Sequence, residues 1–393
     1  LFMVNQQEET RRRGEAKDTV WVFQPKLRVQ GVNGEPVFVQ RQTAKHDLSR
    51  HDPLTREETE TLDMLYRHQR EFAVGHGIAT HATLPEPLAA RAIRIETEWL
   101  PRFEVPQQTP RTAADDENLA GLTLDMKALA ELPQEGLIAS LRHIETAYRV
   151  WIRAEEAKLT LPAEELAEHG DAARRAIKHC RRALARIKAG IDLIETNPLA
   201  EEAFRFANRA MWLQRIHTTF ARKVRKQEMT VEEGVATLDV PRNRSWRLFQ
   251  MAFILLNLPS LTDLHHPDRS HDTAAVADLL WFATGGGKTE AYLGLIAFTL
   301  ALRRLQGEIA GRRGDYGIAV LMRYTLRLLT LQQFQRATAL LCGCEIIRRG
   351  DEGKWGQAPF RLGLWVGNKT TPNTLASAAE ATSATSLATA WGT

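Results

Sequence analysis

One hexapeptide constrains this chain more than any other feature: Thr284-Gly285-Gly286-Gly287-Lys288-Thr289. It follows an apolar run, Ala274 to Phe282, and opens an amphipathic stretch from Thr289 to Leu305. A strand, a glycine loop and a helix in that order let backbone N–H groups turn inward around phosphate oxygens, with the helix dipole adding to the attraction. On this reading Thr284, Gly285, Gly286 and Gly287 cradle the phosphates of ATP. Lys288 reaches the β- and γ-phosphates and Thr289 places its hydroxyl on Mg²⁺, which makes these two the catalytic candidates. Phe282 stands where the usual GxxxxGK[ST] pattern has its first glycine. The alternative is a chance glycine turn ahead of a helix.

The flanks extend the pattern. Runs at Ala274–Phe282, Tyr316–Arg323 and Phe360–Val366 read as strands. Between them lie helices over Thr289–Leu305 and about Leu326–Arg349. Strand, helix, strand, helix, strand predicts right-handed crossovers and a parallel sheet in an α/β fold.

Upstream, residues 115 to 235 read as helical. Leu137, Leu141, Ile144, Tyr148 and Trp151 form one apolar seam, and Ile177, Cys180, Leu184, Ile187, Ile191 and Ile194 form a second. A third helix from about Glu201 to Lys226 is apolar on several sides and is expected to be central. Leu248 to Leu258 is an apolar helix followed by a Pro/His/Asp-rich loop. Before residue 110 the pattern is mixed. Residues 1 to 18 read as disordered, and Val20–Phe23 as strand-like. A hairpin is expected around Asn33-Gly34. Thr55-Arg56-Glu57-Glu58 reads as a capping box opening a helix to Glu71, and Thr230–Glu233 as a second box. Ile93, Ile95, Thr97 and Trp99 alternate as in a strand, and Pro101, Pro106 and Pro110 mark a linker. The expected regions are 1–110, mixed α/β; 111–235, helical; and 236–393, the start of a nucleotide-binding domain.

Composition sets outer bounds. The 393 residues carry a net charge of only +4, so anion binding must come from local clustering. Three cysteines, Cys180, Cys342 and Cys344, include no CxxC pair, which argues against a structural zinc site or a disulfide framework and fits a reducing compartment. Apolar stretches are too short to span a bilayer and no signal peptide is visible, so a cytoplasmic protein is expected. The start at Leu1 and the Ala/Ser/Thr-rich stretch from Leu375 to Thr393 suggest a truncated reading frame.

Other patterns are weaker. Phe249-Gln250 lies 38 residues before Lys288 and suits adenine, through a stacking ring and an amide that both donates and accepts; an ordinary helix start is the alternative. Arg323, Thr325 and Arg327 sit at a strand-to-helix turn, where phosphate contacts to DNA are expected, and Thr370–Asn373 offers a similar turn. Asp351-Glu352 looks like the acidic pair of a Walker B motif. Arg348-Arg349-Gly350 precede it in place of an apolar strand, so it reads as a solvated turn. The basic run Arg174 to Lys188 and the group Arg222, Lys223, Arg225 and Lys226 could track a phosphate backbone or form a solvated face. His265, His266 and His271 read as a solvated loop.

Longer blocks carry a resemblance. Trp281–Gly294, Val320–Arg336, Phe204–Met211 and Phe249–Asp263 resemble the helicase subunits of DISARM anti-phage defence systems, the DrmA family, with Ala283 where the family usually has Pro. The resemblance runs from about residue 20 to 375. It implies a superfamily 2 helicase with two RecA-like domains, of which this chain holds the front of the first. It also implies ATP-driven action on DNA and pairing with a second, DrmB-like subunit. The competing expectation is a non-catalytic scaffold that binds nucleotide and docks a partner. A small-molecule P-loop kinase fits poorly, because a long helical region precedes the loop and nothing resembles a substrate lid.

Overall fold

The computed structural model describes residues 6, 21–41, 52–87, 89–100, 109–161, 165–282, 286–324, 327–365 and 374–381, with side chains from 331 onward in the helix that begins at 327. The expectations for residues 1–18 (save Gln6), Pro101, Pro106, Thr284, Gly285, Thr325 and Thr370–Asn373 lie outside this set, as does most of the Ala/Ser/Thr-rich end. The chain divides into two compact units: Leu1–Gln108 with Ile152–Cys180, and Thr109–Trp151 with Arg181–Thr393.

In the first unit β1 (Arg28–Gln30) and β3 (Ala79–Thr83) flank β5 (Arg94–Glu98) in an antiparallel sheet, while β2 (Phe38–Val39) pairs with β4 (Arg91–Ala92). Asn33-Gly34 does turn the chain, with Asn33 at φ 56° and Gly34 at φ 77°. The expected hairpin is nonetheless absent, since its two arms each pair with part of residues 91–98. A lone two-stranded hairpin is marginal, and β5 gives β1 a three-stranded sheet instead. Trp21–Phe23 is exposed and forms no strand. Helix α1 (Pro53–Leu65) starts earlier than its predicted box and ends before Glu71. The Asp52 carboxylate accepts from Leu54 N at 3.0 Å and Thr55 N at 3.1 Å, and Pro53 takes the first helical position, where a missing N–H costs nothing. Met64, Leu166, Ala172 and Ala173 make a small core.

The second unit is helical. Its elements are α2 (Met126–Glu131), α3 (Gln134–Lys158), α4 (Gly170–Thr196), α5 (Pro198–Arg225), α6 (Leu248–Thr262), the short α7 (Pro267–Ser270), α8 (Lys288–Gln306), a two-residue-per-strand hairpin β6 (Glu308–Ile309) and β7 (Arg312–Arg313), α9 (Arg327–Gly350), α10 (Glu352–Trp355) and α11 (Leu375–Ala381). The boundary between the units falls within α3 and α4. Asn197 caps α5, accepting from Leu199 N at 3.0 Å and Ala200 N at 3.1 Å.

Helix α5 is central, as its many-sided apolar sequence requires. Phe204, Phe206, Ala207, Ala210 and Met211 are buried in one core with Leu137 and Leu141 of α3, Ile191 and Ile194 of α4, Met251 and Leu255 of α6, Leu293 and Phe298 of α8, and Leu340 and Cys344 of α9. Residues on both sides of the expected division at 235 thus share a single core. Some backbones meet closely: a Cβ on Gly190 would fall 2.0 Å from the Leu255 carbonyl oxygen, so glycine is what lets α4 approach α6. The Cys344 thiol, fully buried, is pushed above its ordinary value by burial.

Two expectations are not met among the described residues. Thr230–Glu233 makes only half of its box, Thr230 N donating to Glu233 Oε2 at 2.6 Å, and a single 3-10 turn at Val235–Leu238 follows. The expected parallel sheet is not formed among the described residues. Ala274–Phe282, Tyr316–Arg323 and residues 360–365 contain no strand, and Leu279, Trp281, Ile318, Leu321 and Trp365 are exposed. A helix closes its own hydrogen bonds, whereas a strand exists only if another strand receives it. One extended segment does find a partner: Arg244–Trp246 runs beside Leu124–Met126, Trp246 N donating to the Leu124 carbonyl at 2.8 Å and Met126 N to the Arg244 carbonyl at 3.0 Å.

Candidate functional site

The glycine loop meets α8 at Gly287, whose φ of 88° lies in the left-handed region that favours glycine. Side chains from the start of α6 hold the loop. Arg247 NH1 donates to the Gly286 carbonyl at 2.9 Å, and Gln250 Nε2 donates to the Gly287 carbonyl at 2.7 Å. Gln250 is buried, and its Oε1 accepts from Arg247 N at 2.7 Å, so both ends of the amide are engaged. In a planar trans peptide the N–H points opposite to the C=O. With the Gly286 and Gly287 carbonyls aimed at α6, the Gly287 and Lys288 N–H groups face away from α6, at the N-terminal end of a 19-residue helix. Two neighbouring donors on a helix N-terminus suit a phosphoanion, so the residues present fit the phosphate end of a nucleotide.

The predicted residues fall into three groups. Gly286, Gly287, Lys288 and Thr289 come together at the start of α8. Lys288 Nζ donates to the Phe282 carbonyl, and Thr289 is half-buried in the first turn. Phe249 stacks on Phe282, ring centroids 3.9 Å apart and planes 14° from parallel. It also borders an apolar cavity of about 510 Å³ with Tyr148, Trp151, Leu248 and Trp281. Gln250 is placed against expectation: its amide grips the loop. Of the third group, Arg323 is exposed and Arg327 begins α9.

The sequence reading gave no role to four charged residues beside the loop. Arg247, which opens the Phe249-Gln250 pattern, is one. The others are Glu290, in the first turn of α8, and two arginines that converge on it. Arg215 of α5 reaches Glu290 Oε1 with NH1 at 3.5 Å, and Arg336 of α9 donates to the same oxygen. Arg215 Nε also donates to the Asn243 carbonyl at 3.3 Å. Burial pulls Arg215 below its ordinary value. Glu290 opposes that pull, and the guanidiniums of Arg336, Arg222 and Arg247 add to it. Glu290 directly follows the loop's GKT and could have been noticed; nothing in the sequence ties Arg215 or Arg336 to it.

Other candidates make local contacts. Asp351 is exposed and caps α10, accepting from Lys354 N at 3.0 Å, as a solvated turn requires. The basic stretch of α4 is laced with carboxylates: Arg174 meets Asp171 at 2.6 Å, Arg175 meets Glu60, Arg182 meets Asp268 at 3.3 Å, Arg186 meets Asp268 at 2.9 Å and Asp278 at 2.6 Å, and Lys188 meets Asp192 at 2.5 Å. His266 and His271 accept from nearby backbone N–H groups. Among the described residues no cluster of three His, Cys, Asp or Glu could hold a metal, and no helix is long and apolar enough to cross a membrane.

An α-helical unit in which the start of one helix grips a glycine loop at the start of another is the class these observations define. No protein-family model matches the chain. It is 35% identical over 361 residues to the DISARM protein DrmA of Bacillus paralicheniformis, an alignment that covers 90% of this chain and 29% of that relative. The chain is therefore DrmA-like over nine-tenths of its length and spans about three-tenths of the length of the relative it matches.

Proposed function

We propose that this chain is the nucleotide-binding front of a DISARM defence subunit, an ATP-dependent superfamily 2 helicase or translocase acting on DNA. The observation that carries the reading is the orientation of the Gly286–Lys288 backbone by Arg247 and Gln250. ATP–Mg²⁺, when bound, would supply the phosphoanhydride whose hydrolysis drives movement. Gly287 and Lys288 N–H groups would hold its phosphates, the Lys288 ammonium would turn from the Phe282 carbonyl toward them, and Thr289 would hold the metal. Phe249 is the candidate contact for the base; Gln250 keeps the loop in place. Ala274–Phe282, Tyr316–Arg323 and Phe360–Val366 are the candidate strands of a RecA-like parallel sheet, and their exposed apolar side chains suit burial against further strands. Arg323, Thr325 and Arg327 are the proposed DNA contacts, and a DrmB-like subunit is the proposed partner.

A second reading, a scaffold that binds nucleotide without turning it over, draws on the capping role of Asp351, which occupies the acidic pair in holding a turn. One pair of measurements separates them. Lys288→Ala is expected to weaken ATP–Mg²⁺ binding by at least tenfold, the scale of one lost charge-assisted contact, with an unchanged circular dichroism spectrum. Unchanged binding in that variant removes the nucleotide reading altogether. Binding by the parent protein without any turnover on DNA supports the scaffold.

A further inference from the structure

Phe282 stands where the usual phosphate-loop pattern has its first glycine, and it makes two contacts, one with its ring and one with its backbone. The half-buried ring stacks on Phe249 of α6, with centroids 3.9 Å apart and planes 14° from parallel. The carbonyl of the same residue accepts from the Lys288 ammonium. One residue therefore touches both groups that the nucleotide reading needs: Phe249, the candidate contact for the base, and Lys288, the candidate contact for the phosphates. Rings 3.9 Å apart are in van der Waals contact, so no base enters between them. A base on that face of Phe249 takes the place of the Phe282 ring, and a phosphate on Lys288 takes the place of the Phe282 carbonyl. The strength of the hold suits a reversible contact. Glu290, two residues after Lys288, is taken up by Arg215 and Arg336, and the ammonium rests on a neutral carbonyl instead. A charged phosphate oxygen is a stronger partner for an ammonium than a carbonyl is, and displaces it. A glycine at 282 would leave that carbonyl free to swing; the stacked ring fixes it.

We propose that the Phe249–Phe282 stack is a latch that keeps Lys288 on the Phe282 carbonyl until a nucleotide opens it. The proposal rests on the nucleotide reading above and adds the regulation of that site. Stack and carbonyl contact belong to one residue, so opening either end loosens the other. The base and phosphate ends of a nucleotide then favour each other's binding, because Phe282 is displaced once for both. A ligand with phosphates alone bears the whole of that displacement, and binds more weakly than it would to a loop without the ring.

Amine labelling tests the latch without any ligand. The 393-residue chain is treated with an acetylating N-hydroxysuccinimide ester, and the rate at Lys288 is read by peptide mass spectrometry against that at the exposed Lys226. Phe282→Leu and Phe249→Leu remove the stack from opposite sides and keep the position apolar; either carries the test if the other does not fold. Both are expected to raise the Lys288 rate by roughly two- to tenfold, the scale of one aromatic pair. An unchanged rate in a folded variant overturns the latch. Calorimetric titration with tripolyphosphate–Mg²⁺ reads the consequence: the leucine variants are expected to bind it more tightly than the parent, by a similar factor. Equal or weaker binding by a folded leucine variant overturns the latch as well. Lys288→Ala separates the two levels. If it binds tripolyphosphate as the parent does, the nucleotide reading fails, whatever the labelling shows; if it binds more weakly while the leucine variants do not tighten, only the present inference fails.

Discussion

Leu248–Leu258 and Ala274–Phe282 are both apolar runs, fewer than twenty residues apart, yet they end in opposite environments. The first forms α6 and buries Met251, Leu255 and Leu258 completely. The second is pinned by polar groups, the Asp278 carboxylate to Arg186 and the Val276 backbone N–H to the Asp268 carbonyl at 2.8 Å, while Leu279 and Trp281 stay 84% and 79% exposed. Apolar composition alone does not decide burial. A helix arrives with its backbone already satisfied and needs only a face to pack on; an extended run must first find a neighbour for every other N–H and C=O. Arg244–Trp246 shows the same rule from the other side. It is extended and well held because Leu124–Met126 pairs with it, Arg244 bridges Asp125 and Asp239, and Trp246 Nε1 donates to Asn208 Oδ1 at 2.8 Å.

The comparison can be broken most decisively in the core. Phe204→Ala deletes a fully buried ring of the core around α5 and is expected to cost about 3–5 kcal/mol, measured by urea or thermal unfolding. A loss below about 1 kcal/mol would mean that α5 is not the centre of the unit.

Next comes the held extended segment. Asp125 lies below its ordinary value: burial opposes the shift, but Arg244 and the N–H groups at the start of α2 outweigh it. A carboxyl lowered in the folded state adds stability that is complete above its unfolded value near 4 and is lost as pH falls through the folded value. Asp125→Asn is therefore expected to cost about 1–3 kcal/mol at pH 7 and to flatten the decline in stability below about pH 4. An acid limb as steep as the parent's would assign that decline to other carboxylates.

The smallest effect belongs to the unpaired run. Trp281→Ser is expected to change stability by no more than about 0.5 kcal/mol, as for other exposed positions. A loss comparable to that of Phe204→Ala would show that Ala274–Phe282 is buried in solution.

Legibility followed the same divide. The courses of α5, α6, α8 and α9 could be read from periodicity and from the loop, because a helix is a local object and its seam is written in its own residues. The solvated turn at Asp351 was also readable, from the residues immediately before it. The hairpin at Asn33-Gly34 was misread, since turn chemistry specifies a reversal but not which strand receives the arms. The start of α1 was misplaced because Asp52-Pro53 outcompetes Thr55 as a helix start. In the candidate site, Gly286–Thr289 was legible from the hexapeptide. The grip of Gln250, and the meeting of Arg215 with Arg336 across more than a hundred residues, depend on packing that no local pattern records.

The buried sulfur of Cys344 gives the molecule an internal clock. Its neighbour Cys342 is exposed and meets any thiol reagent at once, whereas Cys344, two residues on and on the core side of α9, reacts only in those moments when the helix lifts away from α5. The delay between the two modifications counts how often the core opens, and so reads the lifetime of the packed state in seconds or hours, without denaturant or heat.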